Sequence, residues 1–280
     1  MTFMLIEDFK DYFKKSVNYT SKLNGLDNPN EKHTDSCWWH NYPLHDFQYQ
    51  YNSWGFRGPE YDQYIGKPVN ICIGDSFTIN IGGPIEHSWA SQLATRFDIP
   101  TINLGMDGAG NNAIKIVYNR ASEIFDVQTT FIMYSFFHRR STKNNDLVHI
   151  GCLDDNENIR YFEESMIEDV VYTFIPPWCW SDVELDYLQS EHKNNLYNLP
   201  NSSSPLLSKL SQEIYNSWKG ADWVLYEEFN KGIINETMQN DQEFVKLKQR
   251  YEYVNRDGFH MNEQANKIVA DFLWSQYNAS

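Results

Sequence analysis

The 280-residue chain has no apolar run approaching the roughly 18 residues that a membrane-spanning helix requires, which excludes a helical membrane protein. Its first residues, Met1-Thr2-Phe3-Met4-Leu5-Ile6-Glu7-Asp8, carry neither a basic leader nor a long apolar core, so no signal peptide is expected. Basic residues are few: 23 Lys and Arg stand against 38 Asp and Glu, a formal charge of −15. A chain so short of positive charge lacks the basic face that a nucleic-acid backbone or an anionic membrane needs, and neither is expected as a partner. Cysteines 37, 72, 152 and 179 show no C-x-x-C spacing, which argues against a disulfide framework at this length. His33, His40 and His45 fit no common zinc pattern, and no metal or other cofactor is expected.

What the chain has in plenty is aromatic residues, 16% of the total. They crowd between Cys37 and Trp54, where Trp38, Trp39, Tyr42, Phe47, Tyr49, Tyr51 and Trp54 read as core or domain-edge packing, with a face for sugar stacking as the functional alternative. Phe3, Ile6, Phe9 and Phe13 are spaced for one helical face, and 21–36 read as loop.

Beyond this segment, apolar runs alternate with helical patterns. Strands are expected at Val69–Ile73, Thr101–Leu104, Thr130–Tyr134, Val170–Ile175 and Asp222–Tyr226. Helices are expected at Ser88–Phe97, from a cap at Asn111 or Asn112 to about Phe125, and through much of 182–218. A last helix starts from an Asn262 cap and buries Ala265, Ile268, Val269, Phe272 and Leu273. Residues 141–166 read as polar and irregular. Such alternation implies parallel β-α-β units with the sheet covered on both faces, and ligands then bind beyond the carboxyl ends of the strands. Ser76, Gly105 and His138 each follow an expected strand and so share that edge.

Two segments carry chemistry. Val69–Thr78 is an apolar strand that stops on Gly74-Asp75-Ser76, and Asp257-Gly258-Phe259-His260 places an acid and an imidazole three residues apart. Ser76 alone reads better as a helix cap than as a nucleophile. With the downstream pair it reads as a nucleophile whose proton passes to His260, while Asp257 fixes the imidazole tautomer. Asp75 is expected to hold the turn, and Gly74 to let the chain bend there. Arg139-Arg140 is read either as a carboxylate ligand or as a surface ion-pairing element.

Three blocks resemble the SGNH (GDSL-type) hydrolase superfamily: Ile73–Thr78 with Ile81-Gly82-Gly83 and Ser88-Trp89, then Ile102–Gly108, then Asp257–His260. Asn52–Gly58 is similar to a lead-in found in many members. The resemblance covers 50–140 and 250–278 and leaves most of 141–249 aside. It implies a serine esterase, with oxyanion donors at the backbone N–H groups of Ser76 and Gly105. After the third strand the family's Gly-x-Asn is replaced by Ser135-Phe136-Phe137-His138-Arg139-Arg140, so the third donor falls to His138, Asn111 or Asn112.

The expected fold is thus α/β, a three-layer α/β/α sandwich around a parallel, flavodoxin-like five-stranded sheet. Residues 1–66 form an aromatic-rich extension packed on the core, and 67–280 the hydrolase-like domain with an insertion over about 141–220. The expected substrate is a small ester or acetylated glycan, and the expected activity carbohydrate O-deacetylation. The alternative is a catalytically weakened glycan-binding or structural protein on the same scaffold, and the expected setting is cytoplasmic or virion-associated.

Overall fold

The computed structural model describes residues 20–21, 47–137, 139–141, 147–149, 155–167, 172–175, 197–198 and 260–279. The expected N-terminal helix and the strand at 222–226 lie outside these residues; of 182–218, expected to be largely helical, only Tyr197–Asn198 is described, and it is strand. Two residue pairs, β1 (Thr20–Ser21) and β2 (Tyr49–Gln50), make a small antiparallel ladder. The main sheet contains β3 (Pro68–Gly74), β4 (Thr101–Gly105) and β5 (Asp126–Met133). A short hairpin, β6 (Arg139–Ser141) with β7 (Leu147–His149), is followed by β8 (Tyr172–Ile175) and β9 (Tyr197–Asn198). The main sheet runs β4-β3-β5-β8-β9, and every pairing in it is parallel.

β3 lies between β4 and β5, and its burial is continuous after Pro68, as a strand covered on both faces requires. Side-chain alternation divides the core. Val69, Ile71 and Ile73 join Ile102, Leu104 and Ile132 on one face, under Ala113, Ile114 and Val117 of helix α2 (Asn111–Ile124). Cys72, Phe131 and Met133 face the other way, toward Trp89 and Leu93 of helix α1 (Trp89–Ala94) and Ala265, Val269 and Leu273 of helix α4 (Glu263–Ala279). Each large apolar side chain so buried contributes roughly 1.5–3 kcal/mol relative to exposure.

Several expectations change. Helix α1 is shorter than 88–97, with Ser88 accepting from Ser91 N–H as its cap. β5 begins four residues earlier than expected. Helix α3 (Asp155–Ser165) occupies part of the segment read as irregular; Ile159 and Phe162, three apart, pack toward the core face under α2. The cap position of α2 is Gly110, which has no side chain to make a capping bond, and not Asn111 or Asn112 as expected; the Asn111 side chain is used elsewhere. No helix of the described residues is long and apolar enough to cross a membrane.

The aromatic segment, where described, is core. Tyr49, Tyr51 and Trp54 are buried, and Trp54 stacks on Phe125 at 5.7 Å. Asn52 organises the turn that follows: its Oδ1 accepts from Trp54 and Phe56 N–H at 3.0 and 3.1 Å, and its Nδ2 donates to the Pro59 carbonyl at 2.8 Å. That turn delivers Arg57 to the edge of the sheet where Ser76 lies.

Candidate active site

Ser76 sits just past the C-terminal end of β3, in a turn written by Asp75. The Asp75 carbonyl accepts from Thr78 and Ile79 N–H at 2.9 and 3.3 Å, and its Oδ1 accepts from Phe77 N–H at 3.0 Å. Gly74 is required by close approach: a Cβ there would lie 2.1 Å from Thr78 Oγ1 and 2.8 Å from the Met133 carbonyl. It has no positive φ, so the expected tight bend is not the reason for glycine.

His260 arrives from the far end of the sequence, just before α4. Its ring lies against Phe77, centroids 4.5 Å apart, so the imidazole packs on the residue that follows Ser76. Ser76 is 5% exposed and His260 3%. The structure therefore sets the His260 ring against the residue that follows Ser76, whereas Asp257 and His138 lie outside the described residues.

A cluster that the sequence reading did not assemble surrounds Asp75. Its Oδ2 accepts from Ser135 Oγ at 2.7 Å and from Arg139 Nη1 at 3.1 Å, and the same Nη1 also donates to Ser135 Oγ at 3.2 Å. Arg139 lies over the Phe136 ring at 4.6 Å. Burial pushes the Asp75 carboxyl above the usual carboxylate range, against the pull of Arg139, the Ser135 hydroxyl, Phe77 N–H and His260. Thus Ser135 and Arg139, standing where an asparagine is expected, serve the turn that carries Ser76. Arg139 does bind a carboxylate, but that of Asp75 within the chain, and its burial corrects the surface ion-pairing reading.

Two expected oxyanion donors are also reassigned. Gly105 N–H donates to Asn103 Oδ1 at 2.9 Å, and Asn103 Nδ2 donates to the Thr78 carbonyl at 2.8 Å. Gly105 is glycine because a Cβ would meet Ile79 N at 2.9 Å and Thr78 Cβ at 2.9 Å. The Asn111 amide donates to the carbonyls of Ser135 and Phe136 at 3.1 and 3.2 Å, and its Oδ1 accepts from Ser135 N–H at 2.7 Å. Both of its amide hydrogens are thereby committed. A position the sequence reading passed over is Gly108, half-buried with φ 68°. Neither its N–H nor that of Ser76 makes a hydrogen bond among the described residues. The Asp107-Gly108 dipeptide was the available signal, since it marks a turn with positive φ.

Among the described residues no group of three His, Cys, Asp or Glu side chains could hold a metal ion. The chemistry the arrangement can perform is nucleophilic, with a buried serine hydroxyl, an imidazole on the adjoining ring and two backbone N–H groups that make no hydrogen bond among the described residues.

No family model and no curated protein matches the chain. Among solved structures it is similar to a lipolytic protein of the G-D-S-L family from Veillonella parvula, at 13% identity over 74% of this chain and 97% of that one, TM-score 0.36. It is likewise similar to a putative lipolytic G-D-S-L protein from Desulfitobacterium hafniense, at 15% identity over 73% and 96%, TM-score 0.34. A third is the psychrotrophic esterase EstA from Pseudoalteromonas sp., inhibited by monoethylphosphonate, at 14% identity over 76% and 97%, TM-score 0.34.

Proposed function

We propose that the chain is a serine esterase of SGNH type on a three-layer, flavodoxin-like α/β/α scaffold, acting on acetyl esters of a carbohydrate. The observation that carries this reading is the packing of His260 on Phe77, beside a serine held at the end of β3, between β4 and β5. Ser76 Oγ attacks the ester carbonyl carbon as the imidazole of His260 takes its proton. His260 returns that proton to the departing alcohol, and water then releases the acid from Ser76 by the same route in reverse. Asp257 is assigned to orient His260. The oxyanion falls to the N–H groups of Ser76 and Gly108, with His138 as a further donor.

A serine only 5% exposed favours a short acyl group, and a chain of net charge −15 favours a neutral alcohol portion over an anionic lipid. The test is labelling of Ser76 by a fluorophosphonate, together with hydrolysis of p-nitrophenyl acetate, p-nitrophenyl octanoate and peracetylated sugars. The wild type should label and prefer acetyl esters, and Ser76→Ala and His260→Ala should each lose nearly all turnover. Alanine variants with wild-type turnover would end the reading. The commitment of Gly105 and Asn111 to internal bonds favours a second one, a binding protein on this scaffold, which an unlabelled but folded wild type would bring forward.

A further inference from the structure

The two pieces of the site come from opposite ends of the sequence, and one amide joins them. Asn266 lies on the buried stripe of α4 with no exposed surface. Its Nδ2 donates to Asn80 Oδ1 at 3.0 Å and to the carbonyls of Met261 and Asn262, each at 2.9 Å. Its Oδ1 accepts from Trp89 N–H at 2.9 Å. Met261 and Asn262 directly follow His260. Asn80 closes the turn that begins at Asp75, and Trp89 opens the helix after it.

The orientation of the amide is fixed by its surroundings. Turned over, its nitrogen would face the Trp89 N–H and its oxygen would face three other oxygens. Asn80 is itself held in a left-handed conformation, φ 59°, with its Nδ2 donating to the Pro84 carbonyl at 2.6 Å and its own carbonyl accepting from Arg57 at 2.8 Å. Its Oδ1 is therefore presented by a braced turn. An apolar residue at 266 would fill the core equally well, but would leave Asn80 Oδ1, the Met261 carbonyl and the Trp89 N–H to find other partners, while the Asn262 carbonyl keeps the backbone N–H of residue 266.

We infer that Asn266 is a positioning residue that sets His260 against Ser76 by linking the nucleophile turn to the segment after the histidine. The inference rests on the serine-esterase reading of that site. A displacement near 1 Å between reacting groups can lower a rate by about 100-fold, so the link should act on turnover more than on substrate binding. Asn266→Asp keeps the shape and the Trp89 acceptor but leaves at most one donation, from a protonated carboxyl, toward the three oxygens. It should lower kcat and the rate of fluorophosphonate labelling at Ser76 by about 10–100-fold, with KM within about twofold. Asn80→Gly, which tolerates the positive φ, removes the same link from the other side and should lower both rates by a smaller factor; it carries the test if Asn266→Asp does not fold.

Val269→Ala, on the same helix and buried, supplies a matched loss of stability without touching the link. If it lowers kcat as far as Asn266→Asp, or if folded Asn266→Asp labels and turns over like wild type, the positioning role is overturned. Loss of activity in Ser76→Ala and His260→Ala with an unaffected Asn266→Asp would overturn this inference alone. A folded wild type that never labels would overturn both it and the esterase reading.

Discussion

Two buried arginines grip the same turn from opposite ends, and their partners differ in kind. Arg57, 1% exposed, donates from Nη1 to the carbonyls of Ile79 and Asn80 at 2.8 Å and from Nη2 to that of Gly83 at 2.9 Å, with its guanidinium 4.4 Å from the Tyr49 ring centroid. Arg139 meets a full charge, the Asp75 carboxylate at 3.1 Å. The first arginine gathers neutral dipoles at the end of the turn; the second balances an acid at its start. Loss of Arg57 therefore leaves polar oxygens short of donors, whereas loss of Arg139 leaves a buried charge. Chain reversal at the Ser76 turn can be secured either way, but only the second device makes stability depend on protonation.

The largest expected effect follows from that difference. Arg139→Met should destabilise the fold by about 3–5 kcal/mol, because the carboxylate left behind is buried and uncompensated. Adding Asp75→Asn should recover much of the loss, since an apolar side chain opposite a neutral amide leaves no buried charge. Urea denaturation of the two single variants and the double variant reads this directly. A double variant as unstable as the sum of the singles would break the contrast. Arg57→Met should cost less, about 2–3 kcal/mol for carbonyls that lose their donors, and Asp75→Asn should not rescue it.

A pH series sharpens the same contrast. Asp75 is raised above its ordinary value of 3.8 in the fold, chiefly by burial. With a raised folded-state value, the native chain holds a proton that the unfolded chain has released. The contribution of Asp75 is thus fully present below 3.8 and is lost as pH rises through its folded-state value. The stability of wild type minus that of Asp75→Asn should fall with rising pH across that window, while Arg57→Met should leave the slope unchanged. A difference that rises with pH would reverse the sign of the argument.

The parts of this site that were legible in the sequence were those with a fixed order. A strand closing on Gly-Asp-Ser and a distant Asp-x-x-His single out Ser76 and His260 as candidates without any knowledge of packing, and the alternation of strands and helices gives a parallel α/β sheet. Glycine roles were harder to read because they depend on contacts across strands. Gly105 and Gly108 both end or follow β4, yet only the Asn103 side chain decides which N–H is already occupied. Asn266 was passed over because a buried stripe is sought among apolar residues, and an asparagine on it has meaning only when Asn80 is brought opposite. Helix α3 was missed although Ile159, Phe162 and Met166 keep helical spacing, since acidic residues dominate the segment.

The smallest effect belongs to an ion pair that resembles the Asp75 pair in composition alone. Arg96, just beyond α1, bonds Asp271 of α4, and Lys267 donates to the same carboxylate at 2.8 Å. Asp271 is 47% exposed in its side chain, against 0% for Asp75. Partial burial raises its carboxyl, but hydrogen bonds and charge from Arg96 and Lys267 prevail and lower it. Its linkage therefore has the opposite sign to that of Asp75: the stabilisation is present above the ordinary aspartate range and is lost as pH falls through the lowered value. Water and salt screen such a pair, so Arg96→Ala should cost about 0–1 kcal/mol, less in 1 M salt than in 0.05 M. Removing Asp271 should leave Arg96 solvated, whereas removing Arg139 leaves Asp75 with no comparable access to water. If Arg96→Ala instead cost as much as Arg139→Met, burial would not be what separates the two pairs, and the account of the nucleophile turn as a charge-balanced site would fail with it.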